Sequence, residues 1–230
     1  MGRWLFTGLI AATLAGTCAS AEVVLLTQAR SITASTSFDG NVVSRQASDF
    51  SAFVETAAAT VQFPSADGGL LTNTADSTIN CIVDPNAIRA FGSLGASGGI
   101  GLVGGRPEPV FGEAAATIYV EFQVTADTPF SMLVSPRPST SEGDEFQVEL
   151  STLAGGTDGI EFRIDERDAP QWVDRAGILT PGTYAIRYTV ELTGDAAREA
   201  GEYTFSFAIP APGVGVTGLG LGLLGLRRRR

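Results

Sequence analysis

Apolar residues recur at every second position through most of this chain, and a period of two is the period of a β-strand. Ile118, Val120, Phe122 and Val124 alternate with Thr117, Tyr119, Glu121 and Gln123. Phe146, Val148 and Leu150 alternate with Glu145, Gln147 and Glu149, and Ile160, Phe162 and Ile164 with Glu161 and Arg163. Tyr184, Ile186, Tyr188, Val190 and Leu192 alternate with Ala185, Arg187, Thr189 and Glu191, and Tyr203, Phe205, Phe207 and Ile209 close the series. A strand with one apolar and one polar face suits an antiparallel sheet with one wet side. Two such sheets stacked bury both apolar faces. The pattern predicts an all-β fold, an antiparallel two-sheet β-sandwich of jelly-roll-like kind. Phe122, Val148, Phe162, Ile186 and Phe205 should lie inside it, and Glu121, Glu149, Arg163, Arg187 and Thr204 outside.

Turn residues separate these runs: Glu142-Gly143, Gly155-Gly156, Asp158-Gly159, Pro181-Gly182 and Thr193-Gly194. Leu179-Thr180-Pro181-Gly182-Thr183-Tyr184 reads as the entry to a late strand, with the tyrosine placed to bond across a corner. The N-terminal third is weaker β. Val23 to Thr27, Ser31 to Phe38 and Phe53 to Phe63 are candidate strands rich in Ser, Thr and Ala, and Ser48 to Thr60 also fits a short helix. Phe91 to Gly112 holds eight glycines and two prolines and reads as one long irregular loop.

Two strings in that stretch look catalytic. Gly95-Ala96-Ser97-Gly98-Gly99 matches a nucleophile-elbow pattern, but a serine needs a base, and the chain has neither histidine nor lysine. Gly99-Ile100-Gly101-Leu102-Val103-Gly104 matches a dinucleotide fingerprint without the βαβ frame that would aim a helix at a pyrophosphate. The same absences argue against zinc and copper sites. Oxygen ligands abound, densest at Asp165, Glu166 and Asp168 beside Arg163 and Arg167, but no calcium-loop pattern is present. A weak, diffuse calcium interaction is the expectation, with no cofactor. Cys81 reads as a small buried apolar residue.

The two ends differ from the body. Arg3, the apolar run Trp4 to Leu14 and the small residues Ala19-Ser20-Ala21 form a signal peptide with an Ala-x-Ala cleavage pattern, giving a boundary after Ala21. Cys18 makes a poor lipidation site, because Leu14 lies one place too far out. At the other end, Pro210-Ala211-Pro212-Gly213 precedes an uncharged run from Val214 to Leu226, and Arg227, Arg228, Arg229 and Arg230 follow. Thirteen helical residues span roughly 20 Å, short of a hydrocarbon core of about 30 Å. Four arginines hold such a segment with its end in the cytoplasm. A short tail anchor, with Gly218 and Gly222 as its packing face, fits these residues too.

This tail resembles the sorting tail of bacterial PEP-CTERM proteins, with Ala211 where that family usually has Glu. The resemblance covers about the last tenth of the chain. It implies a membrane-embedded exosortase, a cysteine transpeptidase, that cuts near the Pro-x-Pro after the helix has held the protein transiently in the membrane. The expected organisation is a signal peptide at 1–21, a sandwich body at 22–208 and a sorting tail with a short transmembrane helix at 209–230.

All 25 acidic residues lie in the body and five of the 15 basic ones in the ends, so the body carries a net charge of −15. Such a surface repels nucleic acid and anionic membranes. The expected function is that of an exported, non-catalytic protein of the cell surface or an exopolysaccharide matrix, with the exosortase and exopolysaccharide as partners. Two alternatives stay open. A carbohydrate-binding module would use exposed aromatics, with Trp172 the leading glycan contact and Tyr119, Tyr188 and Tyr203 behind it. A glycoside-active enzyme would use two facing carboxylates.

Overall fold

The computed structural model describes residues 22–65, 67–137, 145–154, 160–165, 173–194 and 199–209. They form strands β1 (Val23–Thr36), β2 (Asn41–Ala47), β3 (Phe53–Pro64), β4 (Leu70–Asp84), β5 (Ala87–Ala96), β6 (Gly99–Val103), β7 (Arg106–Val110), β8 (Gly112–Val124), β9 (Thr128–Arg137), β10 (Glu145–Ala154), β11 (Ile160–Asp165), β12 (Val173–Leu179), β13 (Gly182–Gly194) and β14 (Glu199–Ala208). One six-stranded sheet has the order β11-β10-β13-β8-β1-β2, a second the order β12-β9-β14-β5-β4-β3, and β6 and β7 pair as a hairpin. Each of these pairings is antiparallel.

The alternating runs fall in strands, except that Ile209 lies one residue past β14, and the two sheets bury their apolar faces against each other in one core. Phe122, Val148, Ile186 and Phe205 are buried. Arg163, Arg187 and Thr204 are exposed, and Glu121 and Glu149 half-buried. The side chain of Phe162 lies outside the described residues. The helix alternative over Ser48 to Thr60 gives way to β3, and the two candidates at the N-terminus are one strand, β1, with a bulge between Leu25 and Thr27.

The glycine-rich stretch is not a loop. It comprises the second half of β5, the β6–β7 hairpin and the start of β8. Two of its glycines make that turn: Gly104 and Gly105 have φ of 59° and 82°, the pair of positive values a two-residue primed turn requires. Glycine density reports tight turns and close packing as readily as irregular chain.

The core is graded along the strands. One end is aromatic: Phe122 stacks on Tyr184 at 5.8 Å and meets Phe207 at 5.6 Å, and further along Tyr188 stacks on Phe205 at 5.1 Å between ring centroids. Toward the other end the sheets approach through Ala34, Ala57, Ala59, Ala75, Ala96, Ala114 and Ala116, all buried. At the aromatic end Tyr184 Oη donates to the Thr180 carbonyl at 2.8 Å, the corner bond expected from the Thr-Pro-Gly-Thr-Tyr run.

Both ends of the described chain sit at this aromatic pole. Val23 and Leu25 line one small crevice with Phe207 and Ile209. Ile209 N donates to Asn86 O at 2.8 Å, and Thr125 N donates to Glu22 O at 3.2 Å.

Candidate functional site

Pro210, Ala211, Pro212, Gly213, Arg227 to Arg230, Ala19, Ala21 and Trp172 lie outside the described residues, as do Glu166, Arg167 and Asp168. The side chain of Asp165 is outside them too, whereas Ser97, Cys81, Tyr119, Tyr188 and Tyr203 have clear places in the fold. Ser97 is a clamp: its Oγ accepts from Thr74 N at 2.8 Å and pairs with Thr74 Oγ1 at 3.2 Å, while its own N–H donates to Thr74 O at 2.9 Å. Tyr188 and Tyr203 are buried between the sheets, which removes both as glycan platforms. Tyr119 lies on the outer face of the first sheet, beneath the Arg187 guanidinium at 5.5 Å, and its hydroxyl donates to Glu121 Oε1. Desolvation and then that carboxylate push its phenol up to about 12.

Cys81 is a free, fully buried thiol, pushed up by burial against the opposing influence of Arg30. Arg30 points into the core from β1 and is 1 % exposed. Its Nε donates to Gln28 Oε1 at 2.7 Å, Nη1 to Cys81 O at 3.1 Å, and Nη2 to the carbonyls of Asp49 and Ser51, each at 2.7 Å. Gln28 Nε2 donates to Asp49 O as well. A buried cation is held here by carbonyl dipoles. The work they do is structural: they fasten the segment between β2 and β3, where the chain passes from one sheet to the other. Nothing in the spacing around Arg30 announces this, since an arginine at an inward position breaks the alternation.

A trough of about 880 Å³ in its larger part lies on the outer face of the second sheet. Strand register sets two ranks of side chains across it. Val54, Asn80, Phe91 and Thr204 are successive neighbours on β3, β4, β5 and β14, and Thr56, Thr78, Ser93 and Glu202 form the next rank. At a strand spacing of about 4.8 Å each rank reaches roughly 14 Å. Arg45 and Glu55 stand at the β3 edge. A second depression of about 450 Å³ shares Ser93 and Glu202 with the first and continues over Gly95, Ala200 and Gly201.

Three features shape this surface. Phe91 presents its ring to solvent in mid-sheet, 58 % exposed, with the polar Asn80 and Thr204 on either side. Thr78 Oγ1 accepts from Ser93 N at 2.9 Å and pairs with Ser93 Oγ at 2.9 Å, so this hydroxyl pair is held in place across two strands. Asp76 lies across Gly95, where a Cβ would come within 2.6 Å of Oδ1, and so its carboxylate rests on the floor of the second depression. That depression brings Asp76 and Glu202 to one site, a pairing of acids that spacing alone does not reveal.

Reading Phe91 as part of a loop hides this trough from the sequence. The signal is nevertheless present: Ile88, Ala90 and Leu94 face inward, so Phe91 is an aromatic at an outward position.

Among the described residues no three carboxylate or thiol groups come together as a metal-binding set, and no helix is long and apolar enough to cross a membrane. No family model matches the sequence, and no curated protein matches it.

Proposed function

We propose that this is an exported, non-catalytic protein of a bacterial cell surface or exopolysaccharide matrix, sorted through its C-terminal tail by an exosortase-type transpeptidase. The observation that carries the reading is the pair of signals written at the two ends of the sequence, the Ala-x-Ala leader and the Pro-x-Pro, apolar run and arginine cluster. The strands run from Val23 to Ala208, and the signal peptide and sorting tail read from sequence end at Ala21 and begin at Ile209. The described strands lie between these two segments, and Ile209, where the tail is read to begin, still packs into the core. The body's first and last residues share one pole, which suits a body held from one end while the tail is in the membrane.

Strand order supports a jelly-roll body. The order β12-β9-β14-β5 in one sheet matches β11-β10-β13-β8 in the other, and from β8 to β14 the chain changes sheet at every step except β10 to β11. β1 and β2 extend one sheet, β3 and β4 the other. Such a scaffold presents broad outer faces, as a matrix or surface protein requires.

Mass spectrometry of the protein isolated from its native surface tests the reading. The expected products are an N-terminus at Glu22 and a C-terminus near Pro210. A chain that still ends in Arg230 identifies a plain tail anchor instead. Replacing Arg227 to Arg230 with serine should abolish processing, because nothing then stops the short helix from slipping through.

A further inference from the structure

The geometry points to the trough across β3, β4, β5 and β14 as a binding site for a neutral polysaccharide chain, with Phe91 as its stacking platform. The inference does not depend on the sorting tail; it assigns a ligand class to a face of the body.

Four observations converge on that class. An aromatic ring standing in water on a sheet face leaves apolar area unburied, and a partner with a flat apolar side covers it favourably. A pyranose offers such a side in the C–H groups of its ring face. Around the ring, the trough presents groups that both donate and accept: the Asn80 amide and the hydroxyls of Thr78, Ser93 and Thr204. A sugar's hydroxyls need this mixture. The Thr78–Ser93 pair is already oriented by its own bonds, so less freedom is lost when a ligand binds. A protein partner would be expected to meet a contiguous apolar interface core, and here the exposed Phe91 ring and Val54 are separated by the polar Asn80.

Shape and charge narrow the class further. The two depressions join at Ser93 and Glu202 and stay open along their length, which suits an extended polymer better than a small molecule. Among the described side chains that line the two depressions, Glu55, Asp76 and Glu202 stand against one guanidinium, that of Arg45. With 25 acids against ten bases in the whole body, polyuronates and other polyanions are repelled.

Affinity electrophoresis of the full chain in mild detergent, through gels containing a soluble β-glucan, a mannan, a galactan or polygalacturonate, tests the proposal. Retardation by at least one neutral polymer and none by polygalacturonate is expected. Phe91→Ala and Asn80→Ala should each weaken the retarding interaction at least tenfold, and Phe91→Tyr should retain it. Tyr119→Ala, on the opposite sheet, should leave it unchanged, as should serine in place of Arg227 to Arg230. Phe91 and Asn80 face outward, and circular dichroism of each variant verifies its fold. The proposal is overturned if no neutral polymer retards the protein, if polygalacturonate retards it most, or if retardation survives both Phe91→Ala and Asn80→Ala. Release of new reducing ends from a retarding polymer would uphold the ligand class while overturning the non-catalytic reading, with Asp76 and Glu202 as the pair to substitute next.

Discussion

Tyr203 Oη donates to the carbonyl of Thr78 at 2.8 Å, across the position of Gly92. The bond joins β14 to β4 over the intervening β5, on the inner side of the same sheet whose outer side carries the trough. Only glycine leaves room for it. A Cβ at position 92 would lie 2.1 Å from Thr78 O and 2.5 Å from Tyr203 Oη. Gly92→Ala should therefore destabilise the fold by about 1–3 kcal/mol through overpacking, and Tyr203→Phe by about 1–2 kcal/mol through loss of the bond. Because both act on one contact, the double variant should cost less than the sum of the two. Urea denaturation monitored by fluorescence measures all three.

Arg30 offers a sharper test of the core. Its guanidinium binds the carbonyls of Cys81, Asp49 and Ser51, and Phe53 packs against it at 5.5 Å. Arg30→Ala leaves those carbonyls without their donor and should cost about 1–3 kcal/mol, the range for polar groups left unsatisfied in the interior. Arg30→Lys should recover only part of this, since an ammonium cannot reproduce the planar fork. Hydrogen exchange distinguishes this from a general loss of stability: the amides of the segment from Ser48 to Phe53 should lose protection first.

Tyr188 makes the opposite prediction. Its hydroxyl is buried among Phe146, Tyr203 and Phe205 and has no hydrogen-bond partner among the described residues. Tyr188→Phe removes an unsatisfied polar atom and keeps the ring, so it should stabilise by about 1–3 kcal/mol, seen as a raised Tm. Burial pushes the Tyr188 and Tyr203 phenols above their ordinary value of 10.0. In the unfolded chain they ionise near that value, so the unfolded state releases protons first as pH rises. Stability is thus fully present below about pH 10 and falls progressively above it. Spectrophotometric titration should show these two phenols ionising only with unfolding, and Tyr188→Phe should lessen the alkaline loss.

Ser97→Ala should change no hydrolytic activity, and a fluorophosphonate probe should leave Ser97 unlabelled. What it should change is stability, by about 1 kcal/mol, because Oγ accepts the Thr74 amide at 2.8 Å. Labelling at Ser97 in the folded protein would contradict the structural role assigned to it.

The period of two in Tyr184 to Leu192, or in Thr117 to Val124, is a local property, and alternation along a strand assigns inner and outer faces without any knowledge of the partner strand. That is why the all-β class, the inner residues Phe122, Val148, Ile186 and Phe205, and the corner bond of Tyr184 are legible in the sequence alone. β2, β4, β9 and β12 are less so. In β4 the inward residues Asn73, Ala75 and Ser77 are small or polar, so the hydrophobic contrast on which periodicity depends is nearly absent.

By itself the sequence determined the strand character of the body, its net charge, the absence of histidine and lysine, and the two segments that read as export and sorting signals, because each of these is written in residue type and local order. The tertiary structure decided what depends on partners distant in sequence. Arg30 is buried because carbonyls at 49, 51 and 81 gather around it. Gly92 must be glycine because Tyr203, more than a hundred residues away, passes over it. Phe91 joins Asn80, Val54 and Thr204 in one rank only because antiparallel register sets four strands side by side. Register is a cooperative outcome of all the pairings in a sheet, and no single stretch of this chain encodes it.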